Sequence, residues 1–393
     1  MGKNVKEEAL KLHKENQGKI ALKPKISVDR PEDLVLAYTP GVAEPCLEIS
    51  KDGDKVYDYT SKGNWVAIVT NGTAVLGLGD IGAAAGLPVM EGKAILFKEF
   101  AGVDAFPICL DTKDVDEIVN TVKLLETSFG GINLEDIKAP ECIEIEEKLK
   151  KICNIPVFHD DQHGTAIVVA ASLINGLKVV EKKFNEIKVV INGAGAAGLA
   201  IAKLLFELGV EDIILCDSNG PIYEGRKIGM NKYKEEIAKL TNKSSIKGSL
   251  GDALVEADVF IGVSVPNCIN KEMIKSMNRE PIIMALANPE PEILPDVAKE
   301  AGAKVVCTGR SDFPNQVNNL LAFPGVFKGA FDVKASEINE EMKIAASYAI
   351  AELVDEDELG PEFIIPNVFD PRVSEKVASA VSQAAIKTGV ARK

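Results

Sequence analysis

This chain has no surplus of positive charge: 45 Lys and Arg stand against 59 Asp and Glu, for a formal net charge of -14. That balance argues against nucleic acid as a partner, because phosphate backbones demand a basic surface. No Cys-x-x-Cys pair occurs among the seven cysteines at 46, 109, 142, 153, 216, 268 and 307. Odd in number and widely spaced, they fit a reducing compartment where cysteine serves mostly as a small core residue. Long apolar runs are also missing. The longest, Ala166 to Ile174, is about half of the ~20 residues that span a bilayer. The N-terminus offers Lys3, Lys6, Glu7 and Glu8 in place of an apolar signal core, and its Met-Gly start has no Ser or Thr at position six for myristoylation. A soluble, cytoplasmic protein without membrane contact is expected. Aromatics are scarce at 5% of residues.

What remains is ordinary α/β composition, 46% hydrophobic and 26% charged over 393 residues, long enough for two cores. Residues 5–16 have helical spacing, after which Pro24, Pro31, Pro40 and Pro45 break the chain into irregular segments. Trp65–Thr70, Ala105–Leu110 and Pro156–Phe158 read as buried strands, and Asp114–Ser128 as an amphipathic helix closed by Phe129-Gly130-Gly131. The stretch Thr165–Leu177 predicts a helix bridging two domains. From Ile187 strands and helices alternate: strand 187–192, helix 196–208, strand 212–216, then shorter strands at 258–263, 282–286 and 304–307. Such alternation gives a parallel sheet covered on both faces. The predicted architecture is α/β: a smaller α/β domain over 1–163 for substrate and metal, then a Rossmann-like dinucleotide-binding domain over 164–393.

Two segments match G-x-G-x-x-G: Gly77-Leu-Gly79-Asp80-Ile-Gly82 and Gly193-Ala194-Gly195-Ala196-Ala197-Gly198. A pyrophosphate needs backbone N–H groups at a helix N-terminus and no negative side chain beside them. Asp80 violates that condition, and Pro88 is expected to cut the following helix short. The second run follows a clean strand, precedes an uninterrupted helix, and is answered about 20 residues on by Asp217, placed to bind ribose hydroxyls. It is therefore the expected dinucleotide site, while the first run is expected to pack closely beside a substrate pocket. Without a ligand, the second run would be a tight strand-to-helix turn and no more. Asp217 would repel a 2′-phosphate, which favours NAD; Arg226 and Lys227 downstream could fold back to neutralise one, so NADP stays open.

Carboxylates gather at Glu135-Asp136 and at Asp160-Asp161, the latter inside Phe158-His-Asp-Asp-Gln-His-Gly-Thr165. Acidic pairs are commonly solvated surface charges, but Asp160-Asp161 follows an apolar strand at the edge of the presumed cleft. As hard oxygen donors these groups suit Mg²⁺ or Mn²⁺ rather than zinc. His159 and His163 fit equally as ligands, as partners behind the ligands, or as ordinary polar residues.

At this point the sequence resembles the malic enzymes, in their short bacterial and archaeal form. The resemblance is carried by Tyr38-Thr-Pro-Gly-Val-Ala43, Leu76-Gly-Leu-Gly-Asp-Ile-Gly82, Pro88-Val-Met-Glu-Gly-Lys93, Leu134-Glu-Asp-Ile137, the Phe158–Thr165 motif, the glycine fingerprint, Ala287-Asn-Pro289 and Asn315-Gln-Val-Asn-Asn-Leu-Leu-Ala-Phe-Pro-Gly325. It implies oxidative decarboxylation of L-malate to pyruvate and CO₂ with NAD or NADP and Mg²⁺ or Mn²⁺. By position it implies Tyr38 as general acid, Lys93 as general base, Asp160 next to that base, Glu135, Asp136 and Asp161 as metal ligands, and Asn288, Asn318 and Asn319 as contacts to malate. It also implies a homodimer, with part of one N-terminal region near the other subunit's cleft. Where larger animal and plant members place a carboxylate-binding arginine, this chain has Ala74 after Thr73. Recognition of malate then falls to Lys93, the metal, the asparagines and backbone N–H groups. The chain ends near residue 393, without the appended acyltransferase-like domain of some bacterial relatives.

For Lys93 to accept the malate hydroxyl proton it must be partly neutral, and burial beside a cation is expected to depress its pKa. Two other readings fit the dinucleotide motif. One is a metal-independent dehydrogenase of an amino or hydroxy acid without decarboxylation, which would not need the acidic cluster. The other is a non-catalytic nucleotide-sensing protein, against which stands the joint presence of Tyr38, Lys93 and three metal-ligand candidates.

Overall fold

The structure, a computed structural model, describes residues 3–75 and 77–392. The Met1-Gly2 start and Leu76 of the first glycine segment lie outside the described residues. Four parallel strands form the first sheet in the order β2-β1-β3-β4: β1 (Trp65–Thr70), β2 (Asp104–Cys109), β3 (Gly131–Leu134) and β4 (Val157–His159). A second sheet runs β10-β9-β8-β5-β6-β7, with β5 (Lys188–Asn192), β6 (Asp212–Asp217), β7 (Gly220–Pro221), β8 (Val259–Gly262), β9 (Ile282–Ala285) and β10 (Val305–Thr308). All its pairings are parallel except the short β7 on β6. The chain crosses over on either side of β5, so the strand order reverses there, which is where open α/β sheets bind ligands. The α/β reading and the Rossmann-like second half hold.

Both faces of the second sheet are buried. Val189, Ile191, Ile213, Leu215, Ile261 and Met284 join a core shared with the first sheet, while Val190, Ile214, Phe260 and Ile283 fill a separate one on the opposite face. Alternate side chains thus serve two cores, and the strands read as continuous apolar runs. Between the sheets runs the helix Asp160–Val179, buried from Ala166 through Leu177. A helix apolar all round must lie in a core. It begins five residues before the sequence pattern indicated, because the acidic pair forms its first turn.

Three sequence readings need correction. Pro88 does not shorten the helix after the first glycine run: Ala83–Ala101 is continuous, with Pro88 inside it. So close to the helix start, proline removes a single intrahelical bond. Pro31 and Pro45 likewise fail to keep their segment irregular, since both sit in the first turn of helices, Pro31–Ala37 and Ala43–Lys51. β3 was missed. The amphipathic helix is also shorter than read, Val115–Leu125. After β10 the chain returns to the first sheet. Phe323 and Phe327 of the helix Phe323–Asp332 pack on Phe97 at 4.7 and 5.3 Å between ring centroids, and Phe158 lies 5.8 Å from Phe327. This aromatic knot locks the last helices onto the elements that carry the site.

Candidate active site

The acidic cluster sits at the C-terminal ends of β3 and β4. Glu135 and Asp136 follow β3 directly, with Glu135 N–H bonded to the Val69 carbonyl at 2.9 Å. Asp136 takes a left-handed backbone, φ 52°, unusual for a residue with a side chain. Its conformation is held from both sides: its carbonyl accepts the Ala74 N–H at 2.9 Å and its N–H donates to Asp161 at 2.9 Å. Strain of this kind persists where the surroundings over-determine it. Oxygen atoms of Glu135, Asp136 and Asp161 converge within 4.8 Å of one another. Neither histidine belongs to this group among the described residues. His159 caps the helix, its Nδ1 accepting the Gln162 N–H at 3.3 Å, and His163 faces Glu146 at 2.8 Å.

Lys93, 8% exposed, reaches this cluster from the helix 83–101. Its Nζ donates to Glu135 at 3.0 Å and to Asp160, and rests over the Phe323 ring at 4.1 Å from the centroid. Burial acts to lower the lysine pKa, as expected, yet Asp160 and Glu135 outweigh it and the net displacement is upward. Without a cation beside it, the carboxylates facing the ammonium dominate. Burial in turn lifts the Asp160 carboxyl to about 8, against the pull of Lys93. Asp160 is fully buried, and its Oδ1 finds no hydrogen-bond partner among the described residues. A Cβ on Gly164 would meet that oxygen at 1.9 Å, so only glycine fits one turn above it.

Of the asparagines, Asn319 donates to Asp160, whereas the Asn318 side chain accepts the Leu320 N–H at 2.9 Å and caps its own turn. Asn288 lies on the loop after β9, its carbonyl 3.8 Å from where a Cβ of Gly77 would stand. The first glycine run thus lines the cleft opposite that loop. The run packs closely through its last glycine: a Cβ on Gly72 would meet the Gly82 carbonyl at 2.2 Å. At the position of the missing arginine, the Ala74 N–H is spent on Asp136 and the Thr73 hydroxyl accepts the Lys138 N–H at 3.0 Å, so neither is open to substrate. Tyr38 does not join the cluster. It is 66% exposed at the end of the helix 31–37.

Asn133 and Phe323 were not singled out from the sequence. Asn133 is fully buried and donates to Glu135 at 2.8 Å. Its signal was a polar residue in the middle of the apolar Gly131–Leu134 strand. Phe323 carried none, since only the fold brings its ring beneath Lys93.

The second glycine run fits a pyrophosphate. A Cβ on Gly198 would strike the Gly193 carbonyl at 1.8 Å, and one on Gly193 the Val263 carbonyl at 2.6 Å, so both are needed for close packing. Gly195, the residue before the helix Ala196–Glu207, faces open space. That is the opening through which an anion reaches the helix N-terminus. Asp217 ends β6 as expected, but it does not stand open. Arg226 grips both its oxygens, through Nη1 at 2.9 Å and through Nη2, Lys234 donates at 2.6 Å and the Asn219 N–H at 2.9 Å. Despite burial, which raises it, the Arg226 and Lys234 bonds bring the carboxyl down to about 2. Arg226 is buried rather than a mobile downstream arginine.

A Rossmann-like domain beside a convergent carboxylate cluster defines the class, and comparison supplies the family. The family models described as "Malic enzyme, N-terminal domain" and "Malic enzyme, NAD binding domain" match residues 16–150 and 162–386. A "Bifunctional malic/malolactic enzyme" of Bacillus subtilis is 66% identical over 99% of this chain and 95% of its own length. An "NADP-dependent malic enzyme" of Escherichia coli is 53% identical over the whole chain, which spans 54% of that protein. The crystal structure of an NAD-dependent malic enzyme from Thermotoga maritima superposes with a TM-score of 0.92 at 52% identity, covering 95% of this chain and 98% of that one. The chain belongs to the malic enzyme family.

Proposed function

We propose that this NAD(P)-dependent malic enzyme, which oxidatively decarboxylates malate to pyruvate and CO₂, runs its reaction on Lys93, Asp160, Asn319 and the Glu135–Asp136–Asp161 cluster, with Tyr38 brought in from outside it. The observation that carries this reading is the meeting of Glu135 and Asp160 on the buried Lys93, with Asp136 and Asp161 oxygens gathered within 4.8 Å of Glu135. Such an excess of negative charge away from water calls for a cation. Glu135, Asp136 and Asp161 would hold Mg²⁺ or Mn²⁺, and malate would complete the coordination. When bound, the cation supplies polarisation at the malate C2 oxygen and the nicotinamide supplies a hydride acceptor.

The protein's own part is proton handling. Lys93 Nζ is bonded to Asp160 and Glu135, and while those carboxylates carry their charge they keep its proton on. With a cation drawing that charge, the lysine would be neutral in the loaded site, and its amine would take the malate hydroxyl proton. Asn319 donates to the same Asp160 Oδ2 as Lys93 and so fixes that carboxyl against the lysine. Asn288 approaches malate from the dinucleotide side, while Asn318 supports its neighbour from its cap position. Tyr38 protonates C3 of the enol product.

Tyr38 serves this role as part of a homodimer. The helices 31–37 and 43–51 bury none of their residues, and Leu34, Leu36, Tyr38 and Leu47 are each more than half exposed. A second copy that covers this face would bring Tyr38 to a cleft. For the dinucleotide, the four bonds on Asp217 leave little capacity for ribose hydroxyls, while Arg226 and Lys234 give this corner a positive balance. NAD, favoured from the sequence, and NADP are both expected to serve. The B. subtilis relative is named for malolactic as well as malic activity; a return of hydride to pyruvate in the same cleft would give lactate. The test is purified protein with malate and Mn²⁺, with NAD or NADP in turn, following reduced dinucleotide, pyruvate and lactate. Metal-independent turnover, or oxidation without release of CO₂, would overturn the proposal.

No helix among the described residues is long and apolar enough to cross a membrane. Our reading is of a cytoplasmic enzyme with malate and dinucleotide as its partners, dividing near residue 163 into a malic and a dinucleotide-binding part.

A further inference from the structure

Behind the acidic cluster lies a second set of buried charges that the reaction does not use. Glu146, on the helix Glu141–Ile152, is 4% exposed, and Lys343, on the helix Glu340–Ala351, is 2% exposed. Side chains of this kind are almost never buried unless paired. His163 joins them, its Nε2 at 2.8 Å from Glu146 Oε2 and its Nδ1 at 3.2 Å from Lys343 Nζ. An ionised carboxylate only accepts and an ammonium only donates. The ring is thereby fixed with its proton on Nε2, and donation runs from Lys343 to His163 to Glu146. Glu146 also accepts from the His159 N–H at 3.2 Å and from Lys150 at 2.9 Å, and Lys343 donates to Glu340 at 2.5 Å.

His159 and His163 flank Asp160 and Asp161 in the first turn of the 160–179 helix. That turn is therefore anchored to two other helices, one from each half of the chain. We propose that Glu146, His163 and Lys343 form a buried bracket that fixes this turn and so sets the geometry with which Asp161 holds a divalent cation. The inference rests on the metal reading given above. These are positioning residues: they touch neither substrate nor cation. Asp161 needs such help, since its side chain is 37% exposed and, besides the Asp136 N–H, meets only His159 Nε2 at 3.9 Å, beyond hydrogen-bond distance. Groups that orient metal ligands from behind typically control affinity by about 10–100-fold.

The experiment titrates Mn²⁺ into protein free of malate and dinucleotide, read by electron paramagnetic resonance, alongside NADH affinity by fluorescence and the melting temperature. The variants are Asp161→Ala, His163→Leu, His163→Gln and Lys343→Met. His163→Leu and Lys343→Met should weaken Mn²⁺ binding by about tenfold or more with NADH affinity within about twofold of wild type. His163→Gln should recover most of the loss, because its amide can accept from Lys343 and donate to Glu146. Wild-type Mn²⁺ affinity in His163→Leu, while Asp161→Ala binds poorly, would overturn the bracket alone. Equal losses in His163→Leu and His163→Gln, accompanied by weaker NADH binding and a lower melting temperature, would also overturn it by showing a merely structural role. If Asp161→Ala bound Mn²⁺ as well as wild type, the metal reading would fall and take this inference with it.

Discussion

Two aspartates in this molecule end up on opposite sides of their ordinary pKa. Asp160 is pushed up to about 8, and Asp217 is brought down to about 2. Burial raises both, so burial does not explain the difference. What differs is the company. Asp160 shares one lysine with Glu135 and stands near Asp161, whereas Asp217 has Arg226 and Lys234 to itself. One end of the cleft is overstocked with negative charge, the other with positive. An acidic protein that works on anions can solve its recognition problem in this way: on the proposal above, the first corner would recruit a cation to meet malate, and the second would meet phosphate with side chains already present.

The sharpest way to break this comparison is to remove charge from the first corner. Asp161→Ala should cost roughly 4 kcal/mol of transition-state stabilisation, about a thousandfold in kcat/KM, while dinucleotide affinity stays near wild type. Normal turnover of that variant in the presence of a chelator would show that the corner holds no metal. Asp160→Asn comes next. Losing the carboxylate bonded to Lys93 should lower kcat by about 10²–10⁴-fold, the usual range for acid–base groups. Lys93→Ala should be at least as damaging and should block oxaloacetate reduction too, because both directions move a proton at the 2-oxygen. If oxaloacetate reduction survived in Lys93→Ala, the base would have to be sought elsewhere. Tyr38→Phe should leave hydride transfer largely intact but suppress solvent deuterium incorporation at C3 of pyruvate, and unchanged incorporation would remove Tyr38 from the reaction.

The contrast between the corners was only partly legible in the sequence. The alternation of strands and helices after Ile187 gave the second sheet almost strand for strand, because a sheet buried on both faces leaves continuous apolar runs. Glu135, Asp136 and Asp161 were visible as acidic pairs at strand ends, and the structure brings them together. Tyr38 could be named only through the family resemblance, since nothing in its surroundings within one chain marks it. What stayed hidden depends on long-range contact. Phe323 beneath Lys93, Arg226 clasping Asp217, and Lys343 behind His163 join residues whose neighbours in sequence give no hint of the pairing. Pro88 misled because the one backbone bond it removes is outweighed by the burial of Met90, Ala94 and Phe97 on the same helix.

The smallest effect belongs to the second corner, and it tests the sign of the argument. Asp217→Asn removes a negative charge while leaving Arg226 and Lys234 in place. The kcat/KM ratio of NADP to NAD should rise by about tenfold, the equivalent of ~1.4 kcal/mol. A fall would mean that Asp217 meets the ribose after all. The pH dependence supplies a check without coenzyme. Because the folded pKa of Asp217 lies below its ordinary value of 3.8, its ion pairs stabilise the fold fully above that value. Their contribution is lost as pH falls through about 4 towards about 2. The melting temperature of wild type should therefore drop more steeply between pH 5 and about 3 than that of Asp217→Asn, which has no proton to take up there. Parallel curves would place the Asp217 carboxyl back at its ordinary pKa and dissolve the contrast with Asp160.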